Sequence, residues 1–228
     1  RRLLNLTQRL NREHLRKRER DTQLDARINS LEMAYRMQFE AQEAFDIGRE
    51  SQATLDAYGK GQFADGCLIA RRLVERGVRM VQLFYGSGQP WDAHGNIMDH
   101  KRDAGKSDQP IAALLQDLKT RGLLDETIVI WGGEFGRTPT AQGARGRNHH
   151  ATGFSIWLAG GGFRGGMTYG ATDELGMHSV ENRMSVHDLH ATLLHQMGID
   201  HERLTFRYSG RDFRLTDVHG NVAHQIIA

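Results

Sequence analysis

After the turn signal Tyr58-Gly59-Lys60-Gly61-Gln62, helical and strand patterns alternate along the chain, and this alternation restricts the fold more than any other feature. Residues 64–76, ADGCLIARRLVER, have the spacing of a helix closed by Gly77, and residues 78–86, VRMVQLFYG, read as a strand. Ser107 is placed to cap a helix carrying Ile111, Leu114, Leu115 and Leu118 on one face, with Gly122 at its end. Strands follow at 127–133 and 153–161. Ser185, with Asp188 three residues on, opens a helix that ends at Gly198. Helix, strand, helix, strand, strand, helix predicts an α/β domain with a mainly parallel sheet covered on both faces. Residues 201–221 read as a polar hairpin or meander at the end of this region.

Before residue 60 the pattern is helical throughout. Ala34, Met37, Ala41, Ala44 and Phe45 recur at three and four, which suits two helices with a break near Asn29 and Ser30. Residues 1–60 are therefore read as a helical segment packing on a main domain of 61–228. The first twenty residues hold eight Arg or Lys against Glu13 and Glu19, a net of +6. Without aromatic residues among them they read as a solvated basic helix, and nucleic acid is not expected as a partner. Cys67 is the only cysteine, which excludes an internal disulfide framework and a cysteine-built zinc site. No apolar run approaches the roughly eighteen residues that a membrane span needs. The chain opens on Arg1 and not Met, so it is read as a segment of a longer protein.

In open α/β sheets ligands sit beyond the carboxyl ends of strands, where loops converge. The strand over 78–86 runs into GSGQPWDAHGN, which carries Asp92 and His94, and TIVIWGGEFGRTP carries the strand over 127–133 directly into Glu134. Asp92 and His94 are two apart, so in an extended loop both side chains face one way and suit a single ion; as a surface pair they need no ion at all. RGRNHHATGF adds His149 and His150 ahead of the next strand. Taken singly these two histidines read as part of a solvated polar loop; with Asp92, His94 and Glu134 they form a mixed oxygen and imidazole set suited to Zn or Mn, better than to the all-oxygen cages of Ca and Mg. Arg137 and Arg147 flank the set. A guanidinium there either grips a phosphate or sulfate group or pairs with Glu134 or Asp92.

Three other signals carry less. AGGGFRGG at 159–166 has the composition of a phosphate-cradling loop but lacks the Lys-Ser/Thr of a Walker motif. His187 and His190 share a helix face, yet Asp188 beside them is better explained as a cap. His190 is read as packing, and no metal is expected at His187, His190 or His195.

The segments ARRLVERGVRMVQLF, WDAHGN, LLQDLKTRGLLDETIVIWGGEFGRTP, GRNHHATGFSIWLAGGGFRGGMTYGATDE and VHDLHATLLHQMGIDHERLTFRYSGRDFRLTDV together resemble the domain-of-unknown-function family 1501. These are sulfatase-like bacterial proteins of the alkaline phosphatase superfamily, many from planctomycetes. The resemblance covers nearly the whole chain. It implies an alkaline-phosphatase-like three-layer α/β/α fold, with 61–228 as its carboxyl-terminal part. It also implies export to the periplasm or medium, and hydrolysis of small phosphate or sulfate esters, a sulfated or phosphorylated glycan being one candidate substrate.

By the same resemblance, Asp92, His94 and His149 stand where one divalent metal (Zn or Mn, with Ca as a third option) would be held. Glu134 stands for an Asp of a second site, and Phe135 occupies the place of a histidine ligand. The catalytic residues expected of such a hydrolase are Glu134, facing the ion cluster, with Arg137 and Arg147 to hold the anion, and the resemblance places the nucleophile ahead of Arg1. A non-catalytic scaffold, or a protein that binds a metal or partner without hydrolysis, is the alternative.

Overall fold

The structure, a computed structural model, describes residues 2–17 and 22–228, with side chains 2–5, 12, 15–17, 22–23 and 36–41 outside the described set. It divides into two units, Arg1–Ser51 and Gln52–Ala228.

The first unit holds helices α1 (Arg2–Lys17) and α2 (Thr22–Phe45). The break expected near Asn29 and Ser30 is absent, because α2 runs through both. The Gln8 amide donates to the Glu32 carboxylate at 2.9 Å, joining the two helices. Of the apolar face read over 34–45, Ala44 is buried, Phe45 is exposed, and Met37 and Ala41 lie outside the described side chains. The basic stretch over residues 1–20 also falls largely outside them.

The second unit begins with three helices, α3 (Gln52–Tyr58), α4 (Gln62–Glu75) and α5 (Asp99–Thr120). The apolar side chains of α4 meet those of α5: Ala64, Cys67, Leu68 and Leu118 are buried. The fully buried Arg71 guanidinium lies among them, 2.9 Å from Asp117 and 2.5 Å from Glu75. Arg121 closes this network on the same two carboxylates. Burying a charge without partners would cost several kcal/mol, so two acids against Arg71 keep the helix interface viable. The Tyr58 hydroxyl joins from α3 by donating to Asp117 at 3.1 Å.

The start expected at Ser107 is corrected. α5 begins at Asp99, and Ser107 is buried inside it, donating to the Ala104 carbonyl at 3.2 Å. Its first two turns, DHKRDAGK, have no apolar period to read. They are held instead by Asp103, buried between the Arg102 guanidinium and the Tyr85 hydroxyl.

The mainly parallel three-layer α/β/α sheet is overturned. The four ladders among the described residues are two-stranded and antiparallel: β1 (Val129–Trp131) with β4 (Trp157–Ala159), β2 (Gly136–Gln142) with β3 (Gly146–His150), β5 (Ala171–Thr172) with β6 (Ser179–Glu181), and β7 (Thr205–Tyr208) with β8 (Arg211–Arg214). Parallel neighbours need a crossover connection, usually a helix. Between β1 and β4 the chain instead makes the hairpin β2–β3 and returns, so the second strand comes back antiparallel. The stretch over 78–86 joins no ladder. It is held by side chains: Leu83 lies against Gly66, and the Tyr85 ring meets Phe63 edge-on at 5.1 Å. Met80 and Phe84 stay exposed.

Helix α6 (Val186–Gln196) has the capping box expected of Ser185 and Asp188. Thr192, fully buried, accepts from the Ala223 N–H at 3.0 Å and ties the chain after β8 to the helix. The glycine run after β4 is a tight turn. Gly160 and Gly161 have positive φ, and a β-carbon at Gly160 would overlap the carbonyls of Leu124 and Thr127. The Ala228 N–H donates to the Gly162 carbonyl, so the run is closed off by the chain's last residues.

Candidate metal centre

Two segments build the centre, the loop 86–98 and the hairpin β2–β3. In the loop, Trp91 is the anchor. Its ring packs against Tyr85 at 5.1 Å, His100 at 5.5 Å and Trp131 at 6.2 Å. Its carbonyl receives Arg137 at 2.8 Å and lies 2.7 Å from His100 Nε2. Fixing Trp91 fixes Asp92 after it. The His94 N–H then donates to the Asp92 carbonyl at 3.0 Å, a tight turn that points both side chains to one side.

The hairpin is bonded directly to this loop. The Arg147 N–H donates to the Ala93 carbonyl at 3.2 Å, and the Ile97 N–H donates to the Arg145 carbonyl at 2.9 Å. Gly146 sits between these bonds, and a β-carbon there would overlap the His94 carbonyl. The sequence pattern puts His149 and His150 in a loop; both lie in β3, where alternation sends them to opposite faces. His150 is buried, its Nε2 3.1 Å from the Gly176 carbonyl. His149 faces Asp92 and pairs in register with Arg137.

Three donor atoms converge as a result. Asp92 Oδ1 is 2.9 Å from His94 Nε2 and 2.9 Å from His149 Nε2, and the two nitrogens are 3.0 Å apart. For metal–ligand bonds near 2.0–2.1 Å, a tetrahedral site has ligand–ligand edges of about 3.3 Å, close to this nearly equilateral triangle. The side chains of His94 and His149 remain 37% and 45% exposed, which leaves the fourth direction toward solvent. Asp92, His94 and His149 thus form a possible metal-binding site.

Arg137 donates to the same Asp92 oxygen at 2.6 Å. Its hydrogen bond, followed by that of His149, holds the Asp92 carboxyl down at about 2, so the ligand is ionised at any neutral or mildly acid pH. Phe135 stacks on the His149 ring with centroids 3.9 Å apart, and the Arg137 guanidinium lies 5.7 Å from the Phe135 ring centre.

Of the site residues read from sequence, Asp92, His94 and His149 meet, with Arg137 beside them. Glu134 is exposed in the turn between β1 and β2 and is not a member of that cluster. Arg147 folds back to donate to the Gly146 carbonyl at 2.8 Å. Sequence reasoning missed Gln142, whose Oε1 is 2.6 Å from His94 Nδ1. It also missed the docking role of Gly146. The signal for both was the QGARG turn, legible as a hairpin tip facing the Asp92 loop only once residues 136–150 are seen to pair.

A three-donor metal-site geometry on a β-hairpin and its docked loop is the class these observations define. The chain belongs to the family described as Protein of unknown function (DUF1501), whose model matches residues 1–227. Searches of curated proteins and of solved structures returned no match. Among the described residues no helix is long and apolar enough to cross a membrane.

Proposed function

We propose that Asp92, His94 and His149 hold one zinc or manganese ion and that the site serves hydrolysis of a small phosphate or sulfate ester, free or carried on a glycan. The observation that carries this reading is the convergence of three ligand atoms within about one tetrahedral edge of one another. When bound, the ion supplies Lewis-acid polarisation of an ester oxygen. The chain's own residues do the rest. Arg137 keeps Asp92 anionic and oriented, and the loop bonds from Trp91 and Ala93 keep the ligands in place before any substrate arrives. Their exposed side admits an anion from solvent.

A second reading, metal binding without hydrolysis, is favoured by Phe135. Its ring lies flat on His149, and an aromatic face supplies neither a ligand nor a proton donor for an ester.

Calorimetric titration with zinc and manganese, followed by assays on aryl phosphate and aryl sulfate, tests both. One equivalent of metal bound, with turnover lost in Asp92→Asn, supports ester hydrolysis. Metal binding without turnover selects the second reading, and no binding of either metal overturns both.

A further inference from the structure

The side chain of Gln142 ends strand β2 in register with Gly146 and places its Oε1 2.6 Å from His94 Nδ1. A carboxamide oxygen only accepts hydrogen bonds, and neutral imidazole carries a single N–H. With Oε1 turned to the ring, the contact is a hydrogen bond only when the proton sits on Nδ1. His94 Nε2 is left with a bare lone pair, and Nε2 is the atom that faces Asp92 Oδ1 at 2.9 Å and His149 Nε2 at 3.0 Å. Without an ion that lone pair can accept only from His149 Nε2–H, at 3.0 Å, and it gains nothing from the Asp92 carboxylate oxygen. The approach to Asp92 becomes favourable when a cation lies between them.

From this we infer that Gln142 is a positioning residue: it holds His94 in the Nδ1–H tautomer and so keeps Nε2 permanently ready as a metal ligand. The inference rests on the metal reading proposed above. The opposite tautomer would let Nε2–H donate to Asp92, and metal entry would then require that proton to move first. Outer hydrogen bonds of this kind fix ring orientation and tautomer, and losing one costs about 10–100-fold in metal affinity. Gly146 serves the same contact, since the close approach of the hairpin tip to the His94 backbone is what brings position 142 within reach of the ring.

The test uses the whole chain labelled with ¹⁵N, without metal and at alkaline pH, where the long-range imidazole ¹H–¹⁵N pattern distinguishes Nδ1–H from Nε2–H. Zinc affinity is measured in parallel by competition with a chelator. Gln142 is exposed, so Gln142→Leu is made at little risk to the fold, with circular dichroism as the check. Gln142→Glu retains an acceptor and is the rescue.

The native protein should show His94 as Nδ1–H. Gln142→Leu should shift it to Nε2–H and weaken zinc about 10–100-fold, and Gln142→Glu should restore both. An Nε2–H pattern in the native protein, or zinc affinity and tautomer both unmoved by Gln142→Leu, overturns the positioning role and leaves the metal site standing. A tautomer that follows position 142 in a protein that binds no zinc overturns the metal reading alone.

Discussion

Gly146 packs its α-carbon against the carbonyl of His94 with no room for a side chain between them. Gly146→Ala should therefore push the hairpin off the loop and weaken zinc binding at least tenfold, with a lower melting temperature. Gly143, in the same turn, has positive φ but nothing within 4 Å of the place a β-carbon would take. Its Ala variant should show only the backbone cost, about 1–2 kcal/mol, with zinc affinity retained. Thermal melts and zinc titrations on the two variants separate these effects.

His149 and His190 offer a matched pair of deletions. His149 contributes a donor atom to the cluster, whereas His190 is an exposed residue of α6 outside it. His149→Ala should lower zinc and manganese affinity by more than tenfold and His190→Ala should leave it unchanged. Equal losses in calorimetry would count against the three-residue centre.

Thr192 is fully buried, donates to the Asp188 carbonyl at 2.7 Å and accepts from Ala223 N–H at 3.0 Å. Thr192→Val keeps the shape and removes the acceptor. The stranded N–H should cost about 1–3 kcal/mol, read from denaturant unfolding. Because that N–H belongs to the closing segment, hydrogen exchange over 216–228 should rise most.

Asp188 couples the α6 cap to pH. Burial pushes its carboxyl up, but the N–H groups of Ser185 and Asn221 outweigh this, and its folded value lies below the ordinary one. A depressed folded value gives stability that is fully present above the unfolded value near 3.9 and is lost as pH falls through the folded one. Asp188→Asn should then cost about 1 kcal/mol at neutral pH, and its melting temperature should converge on the native one below about pH 4.

Burial pushes the Cys67 thiol up to about 12. Thiolate is the reactive form, so a disulfide reagent at neutral pH should label Cys67 only as fast as the domain opens. Labelling that runs at the rate of a free thiol in the folded protein would contradict its place between α4 and α5.

Local pattern alone determined the parts whose partners are near in sequence. The α6 capping box is set by two residues three apart, the α5 face by Ile111, Leu114, Leu115 and Leu118, and the hairpin β7–β8 by the turn Ser209-Gly210 between its strands. The Asp92, His94 and His149 cluster was legible only with the family resemblance, since residue type alone admits Glu134 and His150 as well. Tertiary structure decided what depends on distant partners. No local period shows that VRMVQLFYG lacks a neighbouring strand or that β4 returns antiparallel to β1, since backbone pairing is a property of two segments. Glu134 illustrates the same limit: it follows β1 closely in sequence, yet it lies exposed in the turn, outside the Asp92, His94 and His149 cluster. Gln142 was unreadable for the same reason. Its role exists only through a 2.6 Å contact across 48 positions of chain, made when Gly146 lets two backbones close together.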